Sequence, residues 1–255
     1  MQVPPELIDH ILSFLRGDKS ALEACLKVHP VFSSIAEPYL YADIIIRKNY
    51  KTALSELHKL ISENPHFLNF PRTFRLEFRR ADYSLGPPDP EVLLIIPMLP
   101  RMANLISLTL AGQWPYRLHE DIMSTFETCI HQLTIEELCL ESFRIFPLSI
   151  LDGGKTIKKL TLSNCKTRPE DETLLTSGSP LQSLQTLIII AYHNSALLLW
   201  ASRRATSLTT LELRNSSKPY LREFAAMLEA CSKTLTRLHL DIGSRCRRYP
   251  PILSF

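Results

Sequence analysis

One phrase recurs along the chain and limits what it can fold into more than any other feature: apolar, two variable residues, apolar, one variable, apolar. It appears as LISLTL (105–110), IEELCL (135–140), IKKLTL (157–162), LQTLII (184–189), LTTLEL (208–213) and LTRLHL (235–240), with PRTFRL (71–76) as a degenerate earlier copy. From residue 105 onward the starts lie 30, 22, 27, 24 and 27 residues apart. The closing apolar positions alternate with variable ones, which is the period of a strand. Helix-like segments separate the phrases, among them HEDIMSTFETCI (119–130), NSALLLWASRRA (194–205) and PYLREFAAMLEACS (219–232). One strand and one helix of this size cannot bury their apolar faces alone, but a row of such units stacked side by side can. The sequence therefore predicts an α/β chain built mainly as a strand–helix solenoid.

Periods of roughly 20–29 residues around LxxLxL are those of leucine-rich repeats, and residues 45–255 resemble them. A strand-like ADIIIR (42–47) and a helix-like YKTALSELHKLISE (50–63) open this part. Strict repeats place Asn or Cys three residues after the last apolar position, where it bonds the turning backbone. Cys165 fits, Asn215 comes one place early, and Gln113, Phe143, Tyr192 and Gly243 stand at the other turns, so an irregular solenoid is expected. Strand side chains alternate, so the residues flanking the middle leucine point away from the core. That puts Ser107 and Thr109, Glu137 and Cys139, Lys159 and Thr161, Thr186 and Ile188, Thr210 and Glu212, and Arg237 and His239 along one ladder, the candidate face for a protein target. The ladder is mixed in charge and poor in aromatics, so it offers no obvious anchor.

The first forty residues follow a different period. In VPPELIDHILSFL (3–15), Leu7, Ile8, Ile11, Leu12 and Leu15 share a helical stripe, with Pro4 and Pro5 suited to the first turn and Glu6 and Asp9 to the positive end of the helix dipole. Gly17 is a candidate stop, and Ser20 with Glu23 a candidate capping box opening a second helix through Leu22, Cys25, Leu26 and Val28. Pro30 starts a third, running through Phe32, Ile35 and Ala36 until Pro38. Three helices this short cover their own apolar surface poorly and are expected to lean on something else.

These residues carry a resemblance. VPPELIDHILSFL is similar to the LPPEL…I…IL..L opening of F-box proteins, with Val3 in place of leucine, and ALEACLKVHPVFSSIAEPYLYADI (21–44) resembles its continuation. Phe32 stands where many members have tryptophan, and His29 where many have cysteine or arginine. With the repeats, the whole resembles F-box proteins with leucine-rich repeats, which divides the chain into an F-box at 1–44 and a repeat domain at 45–255. The resemblance implies a substrate-recognition subunit of an SCF (Skp–cullin–F-box) ubiquitin ligase. A Skp-type adaptor, tied to a cullin scaffold, would dock on Pro4, Pro5, Glu6, Leu7, Ile8, Ile11, Leu12 and Leu15, with later help from Leu22, Cys25, Val28 and Phe32. The repeats would hold a protein substrate. A non-catalytic interaction module acting outside ubiquitination is the alternative, and an enzyme with its site on the repeat loops the third reading.

Composition narrows these options. A net charge of +3 is too small to point to a nucleic-acid partner. The longest apolar runs, VLLIIPMLP (92–100) and ALLLWA (196–201), fall far short of the roughly 20 residues that cross a bilayer, so no membrane partner is expected. Six cysteines and no signal-peptide pattern read as reduced thiols in a cytoplasmic or nuclear protein. GGKT (153–156) ends like a phosphate-binding loop, but a strand phrase follows it where a helix is needed. HEDIM (119–123) lacks the second histidine of a zinc-protease motif, and no CxxC pair or GxSxG elbow is present. Neither catalysis, cofactor nor metal is expected.

Overall fold

The computed structural model describes residues 3–47, 50–78, 90–114, 120–143, 146–167, 180–191, 195–214 and 221–241. Among the described residues eight strands form one sheet: β1 (Asp43–Ile46), β2 (Thr73–Phe78), β3 (Ser107–Trp114), β4 (Glu137–Phe143), β5 (Lys159–Ser163), β6 (Thr186–Ile190), β7 (Thr210–Arg214) and β8 (Arg237–Asp241). Neighbours are parallel and follow chain order without a crossover, the arrangement of a solenoid. Every repeat phrase falls on a strand, including the degenerate PRTFRL copy on β2 and ADIIIR on β1.

Register turns the phrase into continuous rows. Ile44, Phe74, Leu108, Leu138, Leu160, Leu187, Leu211 and Leu238 pair in sequence, and Ile46, Leu76, Leu110, Leu140, Leu162, Ile189, Leu213 and Leu240 form the second row. Both rows are buried from β2 to β7 and join the core with Leu54, Phe126 and Trp200. At the far edge the pattern fails, and Leu238 and Leu240 are 45% and 39% exposed. Each strand is entered the same way. The carbonyl of Ala42 accepts from the N–H groups of Arg72 and Thr73, that of Arg72 from Ile106 and Ser107, and so on through Ile106, Glu136, Lys158, Gln185 and Thr209, all at 2.8–3.1 Å. This ladder satisfies backbone groups that would otherwise be orphaned where the sheet begins.

The exits are equally regular. Two residues beyond the second buried position the backbone turns left-handed, at Gly112 (φ 144), Ser142 (φ 61), Asn164 (φ 51) and Ala191 (φ 52). One residue later Cys165 lies with its sulfur 3.4 Å from the carbonyl oxygens of Leu140 and Ser163, so its thiol donates to the turning backbone. At the matching place in β4, Phe143 is buried and packs edge-on against Phe146, with ring centres 5.5 Å apart. The side chain of Gln113, and Tyr192, Asn215 and Gly243 altogether, lie outside the described residues.

Helices cover the other side of the strands: α4 (Tyr50–Glu63), α5 (Pro90–Ile95), α6 (Glu120–Gln132), α7 (Ser195–Arg204) and α8 (Leu221–Ala230). Between β4 and β5 the 22-residue interval leaves too little chain for an α-helix, and a 3-10 segment (Leu148–Gly153) stands in its place. That segment is tied to α7. Asp152 accepts from the indole N–H of Trp200 (3.3 Å) and pairs with Arg204 (3.1 Å), whose side chain is 6% exposed.

The N-terminal helices are α1 (Pro5–Phe14), α2 (Lys19–Leu26) and α3 (Pro30–Leu40). Two local expectations are corrected. The cap of α2 is Asp18, which accepts from the Ala21 N–H at 3.0 Å, so the helix starts before the Ser20–Glu23 box can form. Pro38 does not end α3 but lies in its last turn, which closes when the Tyr41 N–H reaches the Glu37 carbonyl at 3.0 Å. Proline there gives up one bond of the helix ladder, with only Tyr39 and Leu40 of the helix beyond it to be disturbed. The three helices share a core of Ile8, Leu12, Leu22, Ala36 and Leu40, separate from that of the solenoid. Tyr41 meets Phe67 edge-on at 4.7 Å, and Lys19 donates to the Asp43 carbonyl, joining the two parts.

Candidate functional site: a three-faced helix and an open ladder

Helix α1 presents three faces, because residues three and four apart stack on one side. Ile8 and Leu12 point into the small core, with Leu15 packed against it. Leu7, Ile11 and Phe14 form a second, apolar face, 50%, 50% and 76% exposed. Asp9, Ser13 and Arg16 form a third, polar one. The stripe read from sequence therefore splits in two. Of the candidate docking residues, Ile8, Leu12 and Leu22 are interior. Leu15, Cys25 and Phe32 are half-buried around that core, while Pro4, Pro5, Glu6, Leu7, Ile11 and Val28 are exposed. Phe14, the most exposed apolar residue of the face, was not among the candidates. Its signal was present in the sequence, since Leu7, Ile11 and Phe14 stand at i, i+4 and i+7.

The polar face of α1 borders a cleft of about 890 Å³ between the helices and the start of the solenoid. Ser34, Ile35, Pro38 and Tyr39 of α3 line it, and Asn69, Phe70, Arg72 and Asn104 close the far wall. The Tyr39 hydroxyl donates to Asp9 at 2.8 Å. That bond, with some desolvation, raises the phenol above its ordinary pKa. Its role is to fix α3 against α1. The lining brings together two acids and two arginines and pairs no nucleophile with a base.

The ladder lies where strand alternation put it. Thr109, Cys139, Thr161, Ile188, Glu212 and His239 are in register across β3 to β8, and Ser107, Glu137, Lys159, Thr186, Thr210 and Arg237 form the row beside them. Thr109 is only 8% exposed and contributes little surface, whereas Glu137, Arg237 and His239 are open. Lys159 and Glu137 pair at 3.6 Å. The Thr109 row continues onto β2 and β1 through Arg75 and Ile45. Glu77, further along β2, pairs with Arg75 and with Arg47, the residue after β1. These four were not among the candidates because their phrases are degenerate, although the same alternation rule applies to them. The resulting face has short side chains, Thr109, Cys139 and Thr161, at its centre beside the Glu137–Lys159 pair, and charged groups at both ends. Burial raises the Cys139 thiol pKa, Glu141 adding to it, so the group in that centre is a neutral thiol at pH 7 rather than a nucleophile.

Among the described residues no His, Cys, Asp and Glu group of three or more could hold a metal ion, and no helix is long and apolar enough to cross a membrane. Set against known protein-family models and curated proteins, the chain matches none of them.

Proposed function

We propose that this chain is the substrate-receptor subunit of an SCF-type ubiquitin ligase, with α1–α3 acting as an F-box that docks a Skp-type adaptor and the strand ladder holding a protein target. One observation carries the reading: Leu7, Ile11 and Phe14 form an exposed apolar face on a helix that already buries a different face in its own core. A small helical unit rarely leaves such a stripe in water unless a partner covers it. Val28, at the end of α2, is 67% exposed and adds to the apolar surface of the unit. In this role the chain makes and breaks no bond. It raises the effective concentration of the target beside the ubiquitin-loaded enzyme that the cullin scaffold carries.

Co-purification tests the proposal. The full chain should capture a purified Skp-type adaptor and, through it, a cullin, and Pro5→Ala combined with Leu7→Ala should lose both while the chain keeps its far-ultraviolet circular dichroism. Undiminished capture by that double variant would overturn the F-box assignment. Capture of the adaptor without a cullin would favour an interaction module outside ubiquitination.

A further inference from the structure

Among the described residues β8 is the last strand of the sheet, and all five of its residues are exposed, including Leu238 and Leu240 from the two core rows. Its partner on one side is β7, and among the described residues no strand pairs with its outer edge, the position of an edge strand. The sequence of that edge is Arg237-Leu238-His239-Leu240-Asp241, and its chemistry is self-complementary when read backwards. Laid antiparallel against a second copy with His239 on the two-fold axis, Arg237 of each chain faces Asp241 of the other, and Leu238 faces Leu240. Alternation keeps the partners on matching sides, since residues 237, 239 and 241 belong to the ladder face and 238 and 240 to the core face. A two-fold axis normal to the sheet also leaves the helices of both copies on the same side. The two apolar rows would then run from one molecule into the next.

We propose that β8 is a homodimerisation edge, through which two copies of this chain pair antiparallel into one continuous sheet. Charge selects the register, because a slip by two residues removes both ion pairs and a parallel approach opposes like charges. The interface is isologous, so each charge contact occurs twice. The inference does not rest on the proposed receptor role, although a dimer would give a receptor two docking units.

Sedimentation velocity on the full chain over a range of concentrations tests it. The expected species at tens of micromolar has twice the 29.2 kDa of one chain. Arg237→Asp or Asp241→Arg alone should weaken dimerisation by roughly tenfold or more, because two attractions become two repulsions. The Arg237→Asp, Asp241→Arg double variant should recover it, as no merely structural effect of either change would allow. A wild-type chain that stays monomeric throughout this range overturns the proposal. So does a double variant no better than the two single ones.

Discussion

Ala191 occupies the left-handed region at φ 52, where its Cβ meets the following carbonyl, and Ser142 does the same at φ 61. At the corresponding turn of β3 the chain uses Gly112 and after β5 it uses Asn164, residues that tolerate this conformation. Ala191→Gly is therefore expected to stabilise the protein by about 0.5–1 kcal/mol, the relief of strain exceeding the added freedom of the unfolded chain. Chemical denaturation checks this, and a loss of stability would show that the turn is not strained. Buried thiols make a second test. Desolvation pushes Cys129 and Cys165 up to about 12 from an ordinary value of 9.0. Between those values the folded chain binds more protons than the unfolded one, so the thiol contribution to stability is full below about pH 9 and declines as pH rises toward 12. Replacing both by alanine should give a shallower alkaline fall in melting temperature. At pH 7.5 a maleimide is expected to modify Cys25, which is half-exposed, while leaving Cys129 and Cys165 intact in the folded chain.

Among the elements, α2 and the 3-10 segment at Leu148–Gly153 show how tertiary context decides what local pattern cannot. Asp18→Ala should cost about 1 kcal/mol and Ser20→Ala little, because Asp18 alone accepts the helix N–H. Equal losses would restore the capping box. Asp152→Ala takes the carboxylate from Arg204 and Trp200, and its expected cost of about 2 kcal/mol reports how far that tie secures the shortest repeat. The strands themselves were plain in the sequence, because LxxLxL fixes both the period and the buried rows. Even the weak copies on β1 and β2 kept enough alternation to be placed. Two things were not legible. The periodicity of α1 shows that it is apolar on adjoining sides, but which side meets α3 depends on how three helices pack, a long-range fact. The cap of α2 was not legible because Asp18 and Ser20 are both residue types that cap helices, and only the backbone path shows that Asp18 takes the place.

At the scale of the whole molecule, two cores meet at a narrow junction. The solenoid core runs unbroken from Ile46 to Cys231, and the helical core comprises Ile8, Leu12, Leu22, Ala36 and Leu40. Each unit of the solenoid depends on its neighbours, so damage spreads along the stack, whereas changes on the outer face of α1 should leave both cores untouched. That separation makes the docking claim open to a clean measurement: titration calorimetry of a purified Skp-type adaptor against the full chain and its Phe14→Ala variant, with the melting temperature of each recorded. The variant is expected to bind about 2 kcal/mol more weakly, roughly thirtyfold in Kd, because Phe14 is the largest and most exposed side chain of the apolar stripe, and aromatics are enriched among hot-spot residues. Its melting temperature should not change, since the side chain is 76% exposed. Equal affinity for wild type and variant, or no binding by either, would contradict the account.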